Sequence, residues 1–101
     1  MKRTSISEAP KVPANLDGYI MHKSDVLEVI HLCLKPGQVI TQHPNQYDVV
    51  ACLVAGEVTL HSGDNQTELK LFDVVEIEKD VNRGFTNAGA IEARLLILKK
   101  L

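Results

Sequence analysis

The chain has 101 residues, which is enough for one domain with a single hydrophobic core. Its residues are 45% hydrophobic and 24% charged, and the net charge of -2 gives no basic footprint for nucleic acid. No apolar run approaches the roughly 20 residues that span a bilayer, and no apolar stretch follows the basic N-terminus. We therefore expect a cytoplasmic protein with neither a nucleic-acid nor a membrane partner.

The N-terminal residues 1–16 are polar and contain Pro10 and Pro13. We expect them to form a loose arm that is either mobile or paired with a neighbouring subunit. Residues 17–101 then form the folded domain. Cys33 and Cys52 lie in apolar runs and are interpreted as buried, reduced thiols, because no Cys/His spacing typical of structural zinc is present.

Short apolar runs rich in Val and Ile, separated by turn residues, indicate strands throughout the domain. Pro36 and Gly37 end one run, Gly56 ends another, and the stretch 62–65 is typical of a hairpin turn. The three glycines Gly37, Gly56 and Gly63 are expected to supply positive φ in turns. No helix is predicted, so the sequence indicates an antiparallel sandwich or barrel. The predicted strands are 18–22, 26–34, 38–41, 47–55, 57–61, 66–71, 74–78, 82–86 and 91–98.

One spacing pattern begins at Gly37. Five residues separate it from His43, Asn45 follows two positions later, three residues precede Val49, and six more precede Gly56. This arrangement resembles the first motif of the cupin family, which reads Gly, five residues, His-x-His, three or four residues, Glu, six residues, Gly. His43 takes the first metal-ligand position, whereas Asn45 and Val49 replace the second His and the Glu.

A second pattern closes at Asn87. It resembles the second cupin motif, which reads Gly, five residues, Pro-x-Gly, two residues, His, three residues, Asn. Here Phe72 takes the first Gly position, Glu78 the Pro, Asp80 the second Gly and Arg83 the His. The resemblance implies an all-β fold, an antiparallel double-stranded β-helix or jelly-roll barrel.

Members of the family usually hold a divalent transition metal with three His and one carboxylate. The corresponding residues here are His43, Asn45, Val49 and Arg83, and only His43 is a good ligand. We therefore expect no tightly bound metal cofactor. Asp48 is a weak further candidate: a regular strand turns it away from Val49, whereas a β-bulge would let it join His43 and His61 in a partial site.

Arg83 is the most informative substitution. One interpretation is a structural ion pair with Asp48, Asp80 or Glu76. The other is an anion site, in which the guanidinium binds a carboxylate or phosphate while His43 and Asn45 add hydrogen bonds. The predicted ligand-binding residues are His43, Asn45, Arg83 and Phe85.

The sequence leaves three functions open. The first is a metal-free cupin that binds a small, anionic molecule. The second is an enzyme, either a metal-dependent dioxygenase or isomerase with a non-standard ligand set or a metal-free acid–base catalyst that uses His43. The third is a purely structural role. The resemblance also implies a homodimer, which the apolar stretches 47–55 and 91–98 favour independently.

Overall fold

The computed structural model describes residues 1–101. It contains nine strands and no helix, so it has no helical segment of the length and hydropathy that a membrane crossing needs. The predicted strands are confirmed, with their ends moved by one or two residues. Their bounds are β1 Asp17–Lys23, β2 Leu27–Leu34, β3 Val39–His43, β4 Asp48–Ala55, β5 Val58–Ser62, β6 Asn65–Leu69, β7 Val74–Ile77, β8 Arg83–Thr86 and β9 Ala93–Lys100.

The strands form two antiparallel sheets that face each other. The large sheet has the order β1-β2-β9-β4-β7, and the small sheet has the order β3-β8-β5-β6. Alternate residues of each strand point between the sheets, where fifteen buried apolar residues form one core. This arrangement is the expected jelly-roll barrel.

The core fills the barrel unevenly. Leu34, Leu53 and Leu95 are completely buried and pack one half of the interior. Asn87, also fully buried, fixes the loops at this end: its Nδ2 donates to the Leu34 carbonyl at 3.0 Å and to the Ile91 carbonyl at 2.9 Å. One end of the barrel is therefore closed and rigid, and the opposite end is available for a site.

The turns adopt the conformations that the glycine positions predicted. Gly37, Gly56 and Gly63 all have positive φ, between 59° and 82°. Phe72 and Asp80, which stand where the second motif has glycine, have φ of 70° and 67°. The backbone conformation of the second motif is thus retained although its glycines are replaced. Positive φ strains Phe72 and Asp80 because each residue carries a side chain.

We expect Phe72→Gly to raise the free energy of unfolding by about 1 kcal/mol, because glycine accepts positive φ without strain. The Phe72 side chain is 70% exposed, so its removal forfeits little packing. Urea denaturation measures the change, and Leu71→Gly is the matched control that should destabilise the protein. If Phe72→Gly and Leu71→Gly lowered the free energy of unfolding equally, that result would contradict backbone strain at Phe72.

The N-terminal segment folds back on its own barrel. The Val12 amide donates to the Gly18 carbonyl at 2.9 Å, and the Ile20 amide donates to the Pro10 carbonyl at 2.7 Å. Residues 10–12 therefore extend the edge of the large sheet beside β1, which places the chain from 12 to 16 across the open end of the barrel.

Candidate functional site

The open half of the barrel contains a cavity of about 480 Å³. It lies between the first residues of β2, β4 and β8 and the last residues of β3 and β9, so a single barrel mouth collects side chains from both sheets. The floor is apolar, and one wall is formed by Val12, Pro13, Ala14 and Leu16 of the N-terminal segment. The floor residues are Ile30, Leu32, Ile40, Phe85 and Ile97.

Arg83, the first residue of β8, lines this cavity and is only 6% exposed. Its Nη1 donates to the His43 carbonyl at 3.2 Å, and no carboxylate lies within ion-pair distance. Burial lowers the pKa of the guanidinium, which nevertheless remains cationic at physiological pH. The cavity lining therefore contains a largely buried cation with one hydrogen-bond partner and no counter-charge in the protein.

The ion pair considered for Arg83 does not form. Asp48, Glu76 and Asp80 line a separate groove on the outside of the barrel, away from the guanidinium. Their strands place them there: Val50 and Glu76 are register partners on the outer face of the large sheet, whereas Val49 and Ile77 point inward. The interpretation of Arg83 as one member of a structural ion pair is therefore wrong.

The other three predicted ligand-binding residues also line the cavity. The Nδ1 of His43 lies 2.9 Å from the Thr41 carbonyl and donates to it, which leaves Nε2 without a partner. The Asn45 Oδ1 accepts the Tyr47 amide at 3.0 Å, which leaves the Nδ2 donors of Asn45 free. Phe85 contributes an apolar surface two residues beyond Arg83 on the same face of β8.

The partial metal site proposed for His43, Asp48 and His61 is not assembled. Asp48 is exposed outside the barrel, where its Oδ1 accepts the Lys79 amide at 2.9 Å. His61 lies outside the cavity, with Nε2 2.9 Å from the Thr86 hydroxyl. No bulge turns Asp48 inward, because β4 is regular from Asp48 to Leu53.

Sequence reasoning missed a charged triad on the opposite wall of the cavity. Glu28, only 9% exposed, lies 3.5 Å from the Lys23 amine and 3.7 Å from the Lys99 amine. The three residues are register partners in neighbouring strands, Lys23 with Glu28 and Glu28 with Lys99. The sequence does contain a pattern that indicates the position of Glu28. Glu28 alternates along β2 with the same period as Ile30 and Leu32, so its side chain points inward like theirs.

A divalent metal does not fit these residues. Within the cavity lining, His43 and Glu28 are the residues with an imidazole, thiol or carboxylate ligand. Both oxygens of Glu28 are already paired with lysine amines, and Arg83 places a cation at the position of a metal-binding His. A fixed guanidinium and two lysines would repel an added cation.

One other group of metal-ligand side chains lies outside the cavity. Asp17, Cys33 and Glu92 have ligand atoms within 4.8 Å of one another on the outer side of the large sheet. Their carboxylates pair with Lys11 at 3.5 Å and Arg94 at 3.7 Å. Burial raises the pKa of the Cys33 thiol, so its protonated form is favoured. The negative charges of the two carboxylates are already balanced by Lys11 and Arg94.

The fold is found in known proteins. The chain matches the fold of a polyketide cyclase from Streptomyces resistomycificus with a TM-score of 0.86 at 13% identity, covering 99% of this chain and 79% of that one. It matches a predicted oxalate decarboxylase from Thermotoga maritima with a TM-score of 0.85 at 16% identity, covering 99% of both chains.

A third similar structure is an RmlC-like cupin family protein from Methanocaldococcus jannaschii, with a TM-score of 0.83 at 17% identity over 99% of this chain and 90% of that one. At such identities these likenesses concern the fold. No curated protein matches the sequence. The sequence profile described as "Cupin domain" matches residues 30–99, which include both motifs and the mouth residues from Ile30 to Lys99. The chain therefore belongs to the cupin family.

Proposed function

We propose that this protein is a small-molecule binding cupin that holds an anion in the barrel mouth through Arg83, without a metal cofactor. The proposal is supported above all by the state of Arg83, a buried guanidinium that faces a cavity and has a single backbone carbonyl as its partner. A buried cation without a counter-charge is unfavourable, so a bound carboxylate or phosphate would supply the missing interaction.

The other residues of the barrel mouth also favour a bound anion. The cavity lining contains three cations, Lys23, Lys99 and Arg83, against one carboxylate, Glu28. The free Nδ2 group of Asn45 can donate a further hydrogen bond to an anion. An anion placed between these groups would be held from both sheets.

The alternative is a metal-dependent cupin enzyme of the dioxygenase or isomerase type with a non-standard ligand set. Two similar structures are a polyketide cyclase and a predicted oxalate decarboxylase, and these proteins are 13% and 16% identical to the chain. No residue set in this cavity favours that alternative, so metal binding is an outcome of the test below.

The test is a thermal-shift experiment on untagged protein purified without chelators, combined with elemental analysis. Acetate, benzoate and inorganic phosphate are added separately, with chloride as the control, and Mn²⁺, Fe²⁺, Ni²⁺ and Zn²⁺ are added in parallel. An anion present at ten times its Kd should stabilise the fold by about 1.4 kcal/mol, which raises Tm by roughly 6 °C. A stoichiometric metal, or a rise with metals but not with anions, would overturn the proposal.

We propose further that two copies of the chain pair through the outer face of the large sheet. Two rows of apolar side chains cross this face in register: Val29, Leu98 and Val50 form one, and Leu96 and Cys52 lie in the next. These side chains are only half-buried in a single copy. Such a continuous apolar surface is typical of an interface between subunits.

For this interface, Leu96→Lys is expected to convert a dimer to a monomer, because it places a charge at the centre of the apolar face. Light scattering coupled to size exclusion measures the mass. Thr59→Lys, on the polar outer face of the small sheet, is the control and should leave the dimer intact. A wild-type monomer across a broad concentration range would contradict the interface.

A further inference from the structure

The cavity is much larger than the anionic group that Arg83 can hold. Its volume of about 480 Å³ corresponds to roughly 16 water molecules of liquid, whereas a carboxylate occupies the space of only one or two. A ligand that fills the cavity therefore has a body that extends from the charged group into the barrel. The surface that this body meets determines its chemistry.

The inner part of that surface is apolar. Below Arg83 the cavity is lined by Ile30, Leu32, Ile40, Phe85 and Ile97, and the wall from the N-terminal segment adds Val12 and Leu16. None of these side chains offers a hydrogen bond, so a sugar or other polyhydroxylated body would lose its contacts with water without replacement. An alkyl or aryl body would instead gain from leaving water.

The charged end of the cavity favours a carboxylate over a phosphate. Arg83 uses Nη1 for the His43 carbonyl, and the other donors of its planar guanidinium have no partner in the protein, so they remain available for a planar carboxylate. Phosphate sites commonly add backbone amides at a helix N-terminus or a glycine-rich loop. The chain has no helix, and no glycine lines the cavity.

From these three observations we infer that the ligand is an amphipathic monocarboxylate. Its carboxylate pairs with Arg83 at the level of His43 and Asn45, and its alkyl or aryl body lies against the floor residues. This inference rests on the proposed function and narrows it to one class of compound. The triad of Lys23, Glu28 and Lys99 lines the facing wall, where its net positive charge adds to the attraction for the carboxylate.

The test is a calorimetric titration of the full chain with a homologous series: acetate, butyrate, hexanoate and octanoate, together with 3-phenylpropionate. Affinity is expected to rise roughly four-fold for each methylene buried, until the body fills the cavity. Hexanamide, the neutral counterpart of hexanoate, is expected to bind at least ten-fold more weakly. Phenyl phosphate should bind more weakly than 3-phenylpropionate.

Two variants distinguish a failure of the inferred ligand class from a failure of the proposed anion site. Arg83→Met should remove the preference for hexanoate over hexanamide, whereas Lys70→Met, which alters an exposed lysine outside the cavity lining, should change hexanoate affinity by less than three-fold. If acetate and phosphate bind as tightly as octanoate, and only when Arg83 is present, the inferred class is wrong while the anion site stands. If no anion shows dependence on Arg83, the proposed function itself fails.

Discussion

Replacing Arg83 with methionine is expected to make the free protein more stable while abolishing anion binding. Methionine has a similar length and packs against the apolar floor, and it removes a guanidinium that is 6% exposed and has no counter-ion. The free energy of unfolding should rise by about 1 kcal/mol, since buried charges replaced by apolar groups of similar volume often stabilise a fold. Urea denaturation with and without benzoate measures both effects.

The control for Arg83→Met is Arg94→Met. Arg94 lies on the outer face of the large sheet, half-exposed, and contacts the His31 Nε2 at 3.3 Å and Glu92 at 3.7 Å. Its replacement should change stability by no more than about 0.5 kcal/mol and leave benzoate binding intact. A large loss of stability in Arg83→Met would show that the guanidinium supports the fold. The proposed anion site would then lose the observation that chiefly supports it.

Gly56→Ala is expected to lower the free energy of unfolding by about 3 kcal/mol or more. Gly56 has φ of 77°, and a Cβ at this position would lie 2.8 Å from both the Ala93 Cα and the Glu92 carbonyl oxygen. The backbone of the turn after β4 thus passes against the start of β9 with no space for a side chain. Both strain and overlap oppose the substitution.

Gly63→Ala separates these two contributions. Gly63 also has positive φ, 59°, but no heavy atom lies within 4 Å of the position that a Cβ would occupy. We expect a loss of about 1 kcal/mol from backbone strain alone. Chemical denaturation of both variants measures the difference, and losses of equal size would rule out the close approach of Gly56 to β9.

The fold was predictable because local patterns and turn residues agreed with one another along the chain. In β2, inward positions from Ile30 to Leu34 alternate with outward ones, and the glycines at 37, 56 and 63 mark turns that only positive φ can make. Motif spacing then identified His43, Asn45 and Arg83, and these residues line one cavity together with Phe85. The spacing succeeded because it fixes strand register, which determines which side chains share an interior.

The remainder of the site depends on contacts between distant strands. The pairing of Glu28 with Lys99 follows from the register of β2 against β9, which neither strand specifies alone. The wall formed by Val12 and Leu16 depends on how the N-terminal segment packs, and its polar composition indicated a loose arm instead. The ion pair was one of two interpretations of Arg83, based on the cost of a buried charge without a partner, but strand parity sends Glu76 to the other face.

The most direct measurement of the central claim is the side-chain Nε–H resonance of Arg83 in a ¹H–¹⁵N NMR spectrum during titration with hexanoate. The resonance is assigned by its disappearance in Arg83→Met. We expect a progressive shift of this signal that saturates with the same Kd as the methyl signals of Ile30, Ile40 and Ile97. An unchanged Arg83 signal at saturating hexanoate would contradict this expectation.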